Sequence, residues 1–452
     1  MMDVPEAVPA LVDSQPLLGR LESALEFART SGADAAQATI AVTQGTSVGV
    51  RLGELESVEY DRAQSLSVTV YFGHREGSAS TSDLGREALR ETVEAACAIA
   101  RYTAEDPHGG LPRRDDLAEN VPDLDLDHPW LESTDKLLEV ALCCEQAARD
   151  AGPMIRNSDG ASVNSHRSLR CYANSLGFAQ AYGSSRHGIG CAVIAGASDE
   201  MQRGHWGSSA RRPSELEDAG SVGHRAAQRA IEQLGARTIS TRTTPVVFPA
   251  DLAYSLWASV AAALSGSAQY RKTSFLQDCL GQSVASRQLR LYEQPFLPAA
   301  LGSAPFDDEG VSPRERDLLA DGEVRGYVLN SYSARRLGMR TTGNAGGVRN
   351  LTLEPGADSF AELLGRMDTG FLVTGLMGRG VNPLTGDYSR GARGFWVEGG
   401  EIAFPVHEVT LAGNLRILLK QIVAIGNDPI VRGNYRSPSV LVEAMTLGGK
   451  SG

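Results

Sequence analysis

Catalytic side chains are sparse in this chain, and their spacing decides which chemistry is open to them. The only His-Glu dipeptide, His407-Glu408, runs on into Val409-Thr410-Leu411. A metal-protease helix needs two imidazoles one turn apart on one face, with a glutamate free to activate water. No second histidine follows here, and the dipeptide comes just after Pro405 in a strand-like run, so a place on a sheet surface is expected. The other histidines, at positions 74, 108, 128, 166, 187, 205 and 224, show no ligand spacing. The run Gly183-Ser184-Ser185-Arg186-His187 reads as a turn between strands, where a turn hydrogen bond is expected and a Ser185/His187 hydrolytic pair is the rival. Gly343-Asn344-Ala345-Gly346-Gly347 lacks the Lys-Ser/Thr of a phosphate loop and reads as a tight bend. Asp307-Asp308-Glu309 reads as a solvated loop.

Composition narrows the classes further. The 452 residues exceed one ordinary core, and 42% hydrophobic with 22% charged residues is the balance of a globular protein. With 43 Lys+Arg against 55 Asp+Glu the formal charge is -12, which repels phosphate backbones. Arg335, Arg336 and Arg340 cluster without interleaved aromatics, so direct nucleic-acid binding is not expected. No apolar run approaches the ~20 residues needed to span a bilayer. Residues 1–15 carry Asp3, Glu6 and Asp13 but no Lys or Arg, unlike a secretory signal. The six cysteines (Cys97, Cys143, Cys144, Cys171, Cys191, Cys279) form no C-x-x-C pair and read as buried free thiols in a reducing cytoplasm.

The elements that must position these residues are segregated rather than alternating, which predicts an α+β fold of two domains. The expected N-terminal domain, 17–237, packs helices on antiparallel sheet behind a flexible arm at 1–16. A helix over 17–29 is stopped by Ser31-Gly32, a strand covers 66–72, and Asp83 caps a helix running to about Tyr102. An exposed Pro/Asp-rich connection spans 106–129, and Ser133 or Thr134 caps a helix through Ala151. Short strands from Ile155 to Ala195 are expected to break at Asp159-Gly160, Ser175-Leu176-Gly177 and Gly183-Ser184-Ser185. After a helix over about 215–234, the polar segment 238–244 marks the boundary to a β-rich C-terminal domain, 245–452, with few helices. Its sharpest signal is the hairpin 395–404, turning on Gly399-Gly400. Leu252, Leu256, Val260 and Leu264 recur every four residues on an amphipathic helix.

Several longer motifs resemble the TldD/PmbA family, and specifically its PmbA (TldE) branch. They are Asn164-Ser165-His166, Asn174-Ser175, Ser185-Arg186-His187, Tyr270-Arg271-Lys272-Thr273-Ser274-Phe275-Leu276, Ser303-Ala304-Pro305-Phe306-Asp307 and Asn330-Ser331-Tyr332-Ser333-Ala334-Arg335. To these add Thr369-Gly370, Leu376-Met377-Gly378, Gly386-Asp387-Tyr388-Ser389-Arg390-Gly391, Gly394-Phe395-Trp396-Val397-Glu398 and Ala412-Gly413-Asn414-Leu415. They occur in family order from about residue 35 to the C-terminus.

The resemblance implies a cytoplasmic metallopeptidase of two subunits acting on peptides or unfolded segments in an enclosed cavity, historically called a modulator of DNA gyrase. In such a pair the TldD-type subunit carries zinc through His-Glu-x-x-x-His and a distant cysteine. Alignment on Leu264-Ser265-Gly266 and Thr273-Ser274 places Trp257, Ala258 and Ala262 at the His, Glu and His positions. Gly426 to Gly433 holds no cysteine. This chain is therefore expected to hold no metal, to have no catalytic residue of its own, and to be active only with a TldD-type zinc partner. Asp387, Tyr388, Ser389, Arg390 and Gly391 are the substrate-channel candidates, through Arg390 gripping a carboxylate and Gly391 admitting close backbone approach; the competing reading pairs Asp387 with Arg390 to shape a turn. A self-sufficient peptide-binding scaffold, homodimeric when isolated, is the alternative.

Overall fold

The computed structural model describes residues 13–378 and 380–449. Two compact units emerge. One comprises the described residues up to Ile231 together with Leu297–Pro313; the other comprises Glu232–Phe296 and the described residues from Arg314 onward.

The first unit runs α1 (Ser14–Thr30), β1 (Ala35–Arg51), β2 (Glu54–Phe72), β3 (Arg75–Thr81), α2 (Arg86–Tyr102), α3 (Thr134–Arg149), β4 (Ile155–Asn174), β5 (Ala179–Ala195), β6 (Gln202–Ala210) and α4 (Ala219–Ile231). Its single antiparallel sheet has the order β3-β2-β1-β4-β5-β6, so an α-β-β-β-α motif occurs twice, back to back about the β1/β4 pair. Two glycines mark the equivalence. A Cβ on Gly77 of β3 would lie 2.2 Å from Ala96 O on α2, and one on Gly204 of β6 would lie 2.2 Å from Ala226 O on α4. Each outer helix thus sits directly on an edge strand. Leu17, Leu21 and Ala24 of α1 and Leu89, Val93 and Ala96 of α2 pack on Ile40, Leu66, Val68 and Cys171 of the sheet.

The helix over 17–29 is found as α1, beginning at Ser14 with Asp13 as its cap, so residues 14–16 are helical rather than part of an arm. The rest of the expected arm, residues 1–12, lies outside the described residues. Ser133 caps α3 as expected. Asp83 does not cap α2: Gly85 does, and Asp83 instead accepts the Gly85 N–H at 2.7 Å. The region 155–195 is two long strands, not several short ones. Ser175-Leu176-Gly177 is its one reversal; Asp159-Gly160 lies at a bulge where β4 slips register, and 183–185 runs within β5. The 106–129 connection is not wholly exposed. Leu124 and Leu126 are buried, their carbonyls accepting from Ala299 and Ser185. Cys143 is exposed, unlike the buried Cys97, Cys144, Cys171 and Cys191.

The second unit holds β7 (Arg242–Phe248), α5 (Ala250–Ala263), α6 (Gly266–Tyr270), β8 (Leu291–Glu293), β9 (Arg316–Ala320), β10 (Glu323–Val324), α7 (Ser331–Arg336), β11 (Leu351–Leu353), α8 (Phe360–Met367), β12 (Gly370–Met377), β13 (Asp387–Glu398), β14 (Glu401–Asn414), α9 (Leu415–Leu418), β15 (Ile422–Ile425), β16 (Ile430–Arg432), β17 (Tyr435–Ser437) and β18 (Val440–Gly448). Strands β14-β13-β12-β7-β18 form a ring, because β14 also pairs with β18. A second sheet has the order β10-β9-β8-β11-β17-β16. The expected hairpin is β13–β14, with Gly399 and Gly400 both at positive φ (59° and 79°). The α+β class with few helices in the C-terminal part is what the structure shows.

The boundary differs from the expected 238–244 segment. The units change at Ile231/Glu232, and Arg237 already exchanges backbone hydrogen bonds with Pro405 and His407 beside β14. The Pro/Gly-rich stretch 297–313 belongs to the first unit, where Phe306 packs edge-on against Phe178 and Tyr182.

Candidate functional site

Helix α5 carries the positions that the family resemblance assigns to metal ligands. It begins after Pro249, runs through an alanine-rich segment, and buries Leu256, Trp257, Val260 and Ala261. Trp257 is fully buried, and its indole N–H donates to Ser437 Oγ of β17 at 2.8 Å. Ala258 is half-buried and Ala262 exposed. An indole N–H is only a donor and a methyl group offers no lone pair, so this set does not fit Zn²⁺, which takes nitrogen, sulfur or oxygen donors. In the stretch where the distant ligand would fall, the Asp428 carboxylate accepts from the Ser439 N–H at 2.9 Å and the Ser439 hydroxyl at 2.7 Å. Among the described residues, no group of three or more His, Cys, Asp or Glu is placed to hold a metal ion.

The segment Asp387–Gly391 opens β13, next to β14. Strand alternation divides it. Asp387 and Ser389 are exposed, whereas Tyr388 is 2% exposed and Arg390 half-buried. Asp387 accepts from Thr385 Oγ1 at 2.6 Å and from Asn414 Nδ2 at 2.9 Å, and these two bonds hold its carboxyl below the usual range. Asp387 is thus held by Thr385 and Asn414, and it lies across the strand from Arg390; the expected Asp387–Arg390 turn pairing is not formed. Burial pushes the Tyr388 phenol up to about 12, against the pull of the Arg390 guanidinium.

The remaining candidates are engaged in the fold. Ser185 donates to Arg211 O at 2.9 Å and accepts the His128 N–H at 2.9 Å. His187, two residues along β5, hydrogen-bonds through Nδ1 to Ser165 Oγ (3.0 Å) and through Nε2 to His128 O (2.7 Å). Both are buried and each has its own partners, so they do not form a nucleophile–base pair. His407 and Glu408 lie in β14, as the strand-like run predicts. Asp307 is fully buried rather than solvated, because its Oδ1 accepts the N–H groups of Glu309 and Val311 at 2.8 and 2.9 Å. Around Asn344 the chain does form a tight bend, Gly347 N bonding Asn344 O at 2.9 Å.

Sequence reasoning missed one polar cluster. Glu293, 1% exposed, accepts from Arg316 Nε (3.1 Å) and Asn344 Nδ2 (2.7 Å), and Arg316 also donates to Tyr327 O (2.7 Å). Burial raises the Glu293 carboxyl pKa, with the Arg316 guanidinium opposing it. Its members come from separated stretches, and no local spacing announces them.

A six-stranded antiparallel sheet lined by helices in one unit, and a ring of strands in the other, define an α+β protein of two units. The chain belongs to the PmbA/TldD metallopeptidase family. The family's domain 1 matches residues 38–100, its central domain 127–234 and its C-terminal domain 241–449. The chain is 43% identical over 430 residues to Metalloprotease PmbA of Escherichia coli O157:H7, covering 95% of each. It is 42% identical over 436 residues to the Haemophilus influenzae PmbA homologue, covering 96% of each. A Bacteroides thetaiotaomicron structure, described as a candidate modulator of DNA gyrase, superposes with a TM-score of 0.89 at 26% identity, covering 98% of this chain and 100% of that one. TldE from Thermococcus kodakarensis shares the fold (TM-score 0.84, 22% identity, covering 95% and 100%). Among the described residues no helix is long and apolar enough to cross a membrane.

Proposed function

We propose that this chain is the non-zinc subunit of a cytoplasmic two-subunit metallopeptidase, supplying chamber wall and subunit contacts to a TldD-type partner that carries the zinc. The pair processes peptides or unfolded segments. The observation that carries this reading is Trp257, buried in α5 with its N–H on Ser437, at the position where the zinc branch has its first histidine. Ala258 and Ala262 complete the substitution: they keep the helix and remove the donors. The segment Asp387–Gly391 is the proposed stretch of channel wall, where an extended peptide gains affinity from main-chain hydrogen bonds with little sequence selection.

Metal analysis of the purified chain, followed by peptidase assay with and without a TldD-type partner, tests the reading. The expected result is no stoichiometric zinc in the isolated chain and chelator-sensitive activity only in the mixture. Stoichiometric zinc in the chain alone, or chelator-resistant activity alone, overturns it. Failure to associate with any zinc-bearing homologue shifts the reading to a homodimeric peptide-binding scaffold.

A further inference from the structure

Tyr388 and Arg390 stand two residues apart on β13 and share one face of the strand with the buried Ala392, opposite Gly413, Leu411 and Val409 of β14. Neither Tyr388 Oη nor Arg390 Nε has a hydrogen-bond partner among the described residues, though both atoms are buried. Such orphans are uncommon, because a buried polar atom loses its water and needs a partner in return. The Arg390 guanidinium acts on the Tyr388 phenol by its charge and by its approach as a donor to the phenol oxygen, and the phenol O–H is left without an acceptor. The nearest carboxylate in sequence, Asp387, is held on the opposite face by Thr385 and Asn414.

The chain is built tightly around this pair. Ser389 N donates to Gly380 O at 2.6 Å, and Val381 bridges to Tyr388. A Cβ on Gly380 would fall 1.5 Å from Ser389 O and 3.1 Å from Arg390 Cγ, so only glycine lets the backbone pass this close. Two adjacent donors, one of them cationic and without a counter-charge of its own, call for an acceptor with two oxygens and a negative charge. We propose that Tyr388 Oη and the Arg390 guanidinium form a two-donor subsite for a carboxylate of a bound peptide. The phenol stays protonated at neutral pH and donates one bond, the guanidinium donates the other, and no covalent step is involved. This subsite rests on the peptide-handling reading above and adds a chemical preference to it.

The test uses the full chain labelled with 13Cζ-tyrosine, with the Tyr388 resonance identified by its loss in Tyr388→Phe. Three probes are titrated: N-acetylalanine, which offers a C-terminal carboxylate; N-acetylglutamate α-amide, which offers a side-chain carboxylate; and N-acetylalaninamide, which offers neither. The expected result is a saturable shift of the Tyr388 resonance with at least one acid and none with the amide. Whichever acid acts identifies the source of the carboxylate. Arg390→Gln should weaken that acid at least about tenfold while leaving the resonance in place, as loss of a charge-assisted bond requires. No shift with either acid, or an equal shift with the amide, overturns the subsite, and this comparison on the unmutated chain needs no variant to fold. An acid-dependent shift in a chain that never supports peptidase activity with a partner would leave the subsite standing and remove the peptidase reading.

Discussion

Trp257 and Ser437 join helix α5 to strand β17 through one 2.8 Å hydrogen bond between two fully buried residues. Ser437 Oγ in turn donates to Pro438 O at 2.9 Å, so the hydroxyl is satisfied in both roles. Trp257→Ala should cost about 3–5 kcal/mol, the usual penalty for emptying a large aromatic site. Trp257→Phe keeps most of the ring volume and loses the indole bond, so about 1 kcal/mol is expected. Trp257→His should still bind no stoichiometric zinc, because Ala258, Ala262 and the engaged Asp428 offer no further free donors. Urea midpoints and metal analysis check the three variants, and an alanine variant as stable as the phenylalanine one would contradict the packing account.

Glu145 holds the tip of the β1–β2 hairpin from below. It is fully buried on α3, and its two carboxylate oxygens accept the N–H groups of Leu52 and Gly53, both at 2.8 Å. Those residues turn the chain at positive φ, 54° and 83°. Glu145→Ala leaves two amides without an acceptor and should cost about 1–3 kcal/mol for each that water cannot reach. Glu145→Gln keeps one good acceptor and should lose less. Amide hydrogen exchange reads this locally: Leu52 and Gly53 should lose protection in the alanine variant, and unchanged protection there would rule out the clamp.

What was legible in the sequence was periodic or local. The 3.6-residue stripe of α1, the Ser133 cap of α3 and the Gly399-Gly400 hairpin rest on neighbours in the chain, and the structure has all three. The back-to-back repeat of the first unit was not legible, because its halves share strand order and two helix-contacting glycines rather than a run of similar residues. Gly183-Ser184-Ser185 looked like a turn because small polar residues favour turns. In β5 the same residues alternate: Ser185 faces buried partners, while Ser184 hydrogen-bonds Ser168 across the sheet at 2.9 Å. That Trp257, Ala258 and Ala262, the positions that the resemblance aligns with the zinc motif, carry no metal-donor side chain was visible by residue type. The bond from Trp257 to Ser437 spans 180 residues and could only be seen once folded.

His187 should make stability fall in mild acid. It is 1% exposed, hydrogen-bonded to Ser165 Oγ and His128 O, with the Trp130 ring edge-on at 5.6 Å. Burial lowers its pKa from the ordinary value; the His128 carbonyl and the Asp127 charge oppose that shift, and His128 and His166 reinforce it. The unfolded chain protonates this imidazole below about pH 6.5, where the folded chain still keeps it neutral. Its contribution is therefore present above that pH and lost as the pH falls from there toward the depressed folded value. His187→Gln should show a smaller drop in Tm than the unmutated chain between about pH 7.5 and about pH 5.5. Parallel drops in the two proteins would assign the acid sensitivity to other groups.

Gly204 permits α4 to rest on β6, and its replacement should be far more damaging than that of a glycine in the neighbouring strand. A Cβ there would meet Ala226 O at 2.2 Å, Ala230 N at 2.4 Å and Ala230 Cβ at 2.9 Å. The first two are backbone atoms of a helix that cannot yield without moving as a whole, so Gly204→Ala should cost about 1–3 kcal/mol or more. Gly190 of β5 is the control. A Cβ there finds nothing nearer than Trp206 O at 3.8 Å and Ser162 Oγ at 3.9 Å, both ordinary contacts. Alanine at Gly190 should be neutral or slightly stabilising, because it removes backbone freedom from the unfolded chain without straining the strand. Gly77→Ala should repeat the Gly204 result, since its Cβ would lie 2.2 Å from Ala96 O and 2.4 Å from Ala100 N. Thermal and urea denaturation of the three variants decide the matter: similar losses at Gly77 and Gly204 with none at Gly190 are expected if the two halves of the first unit seat their helices in the same way.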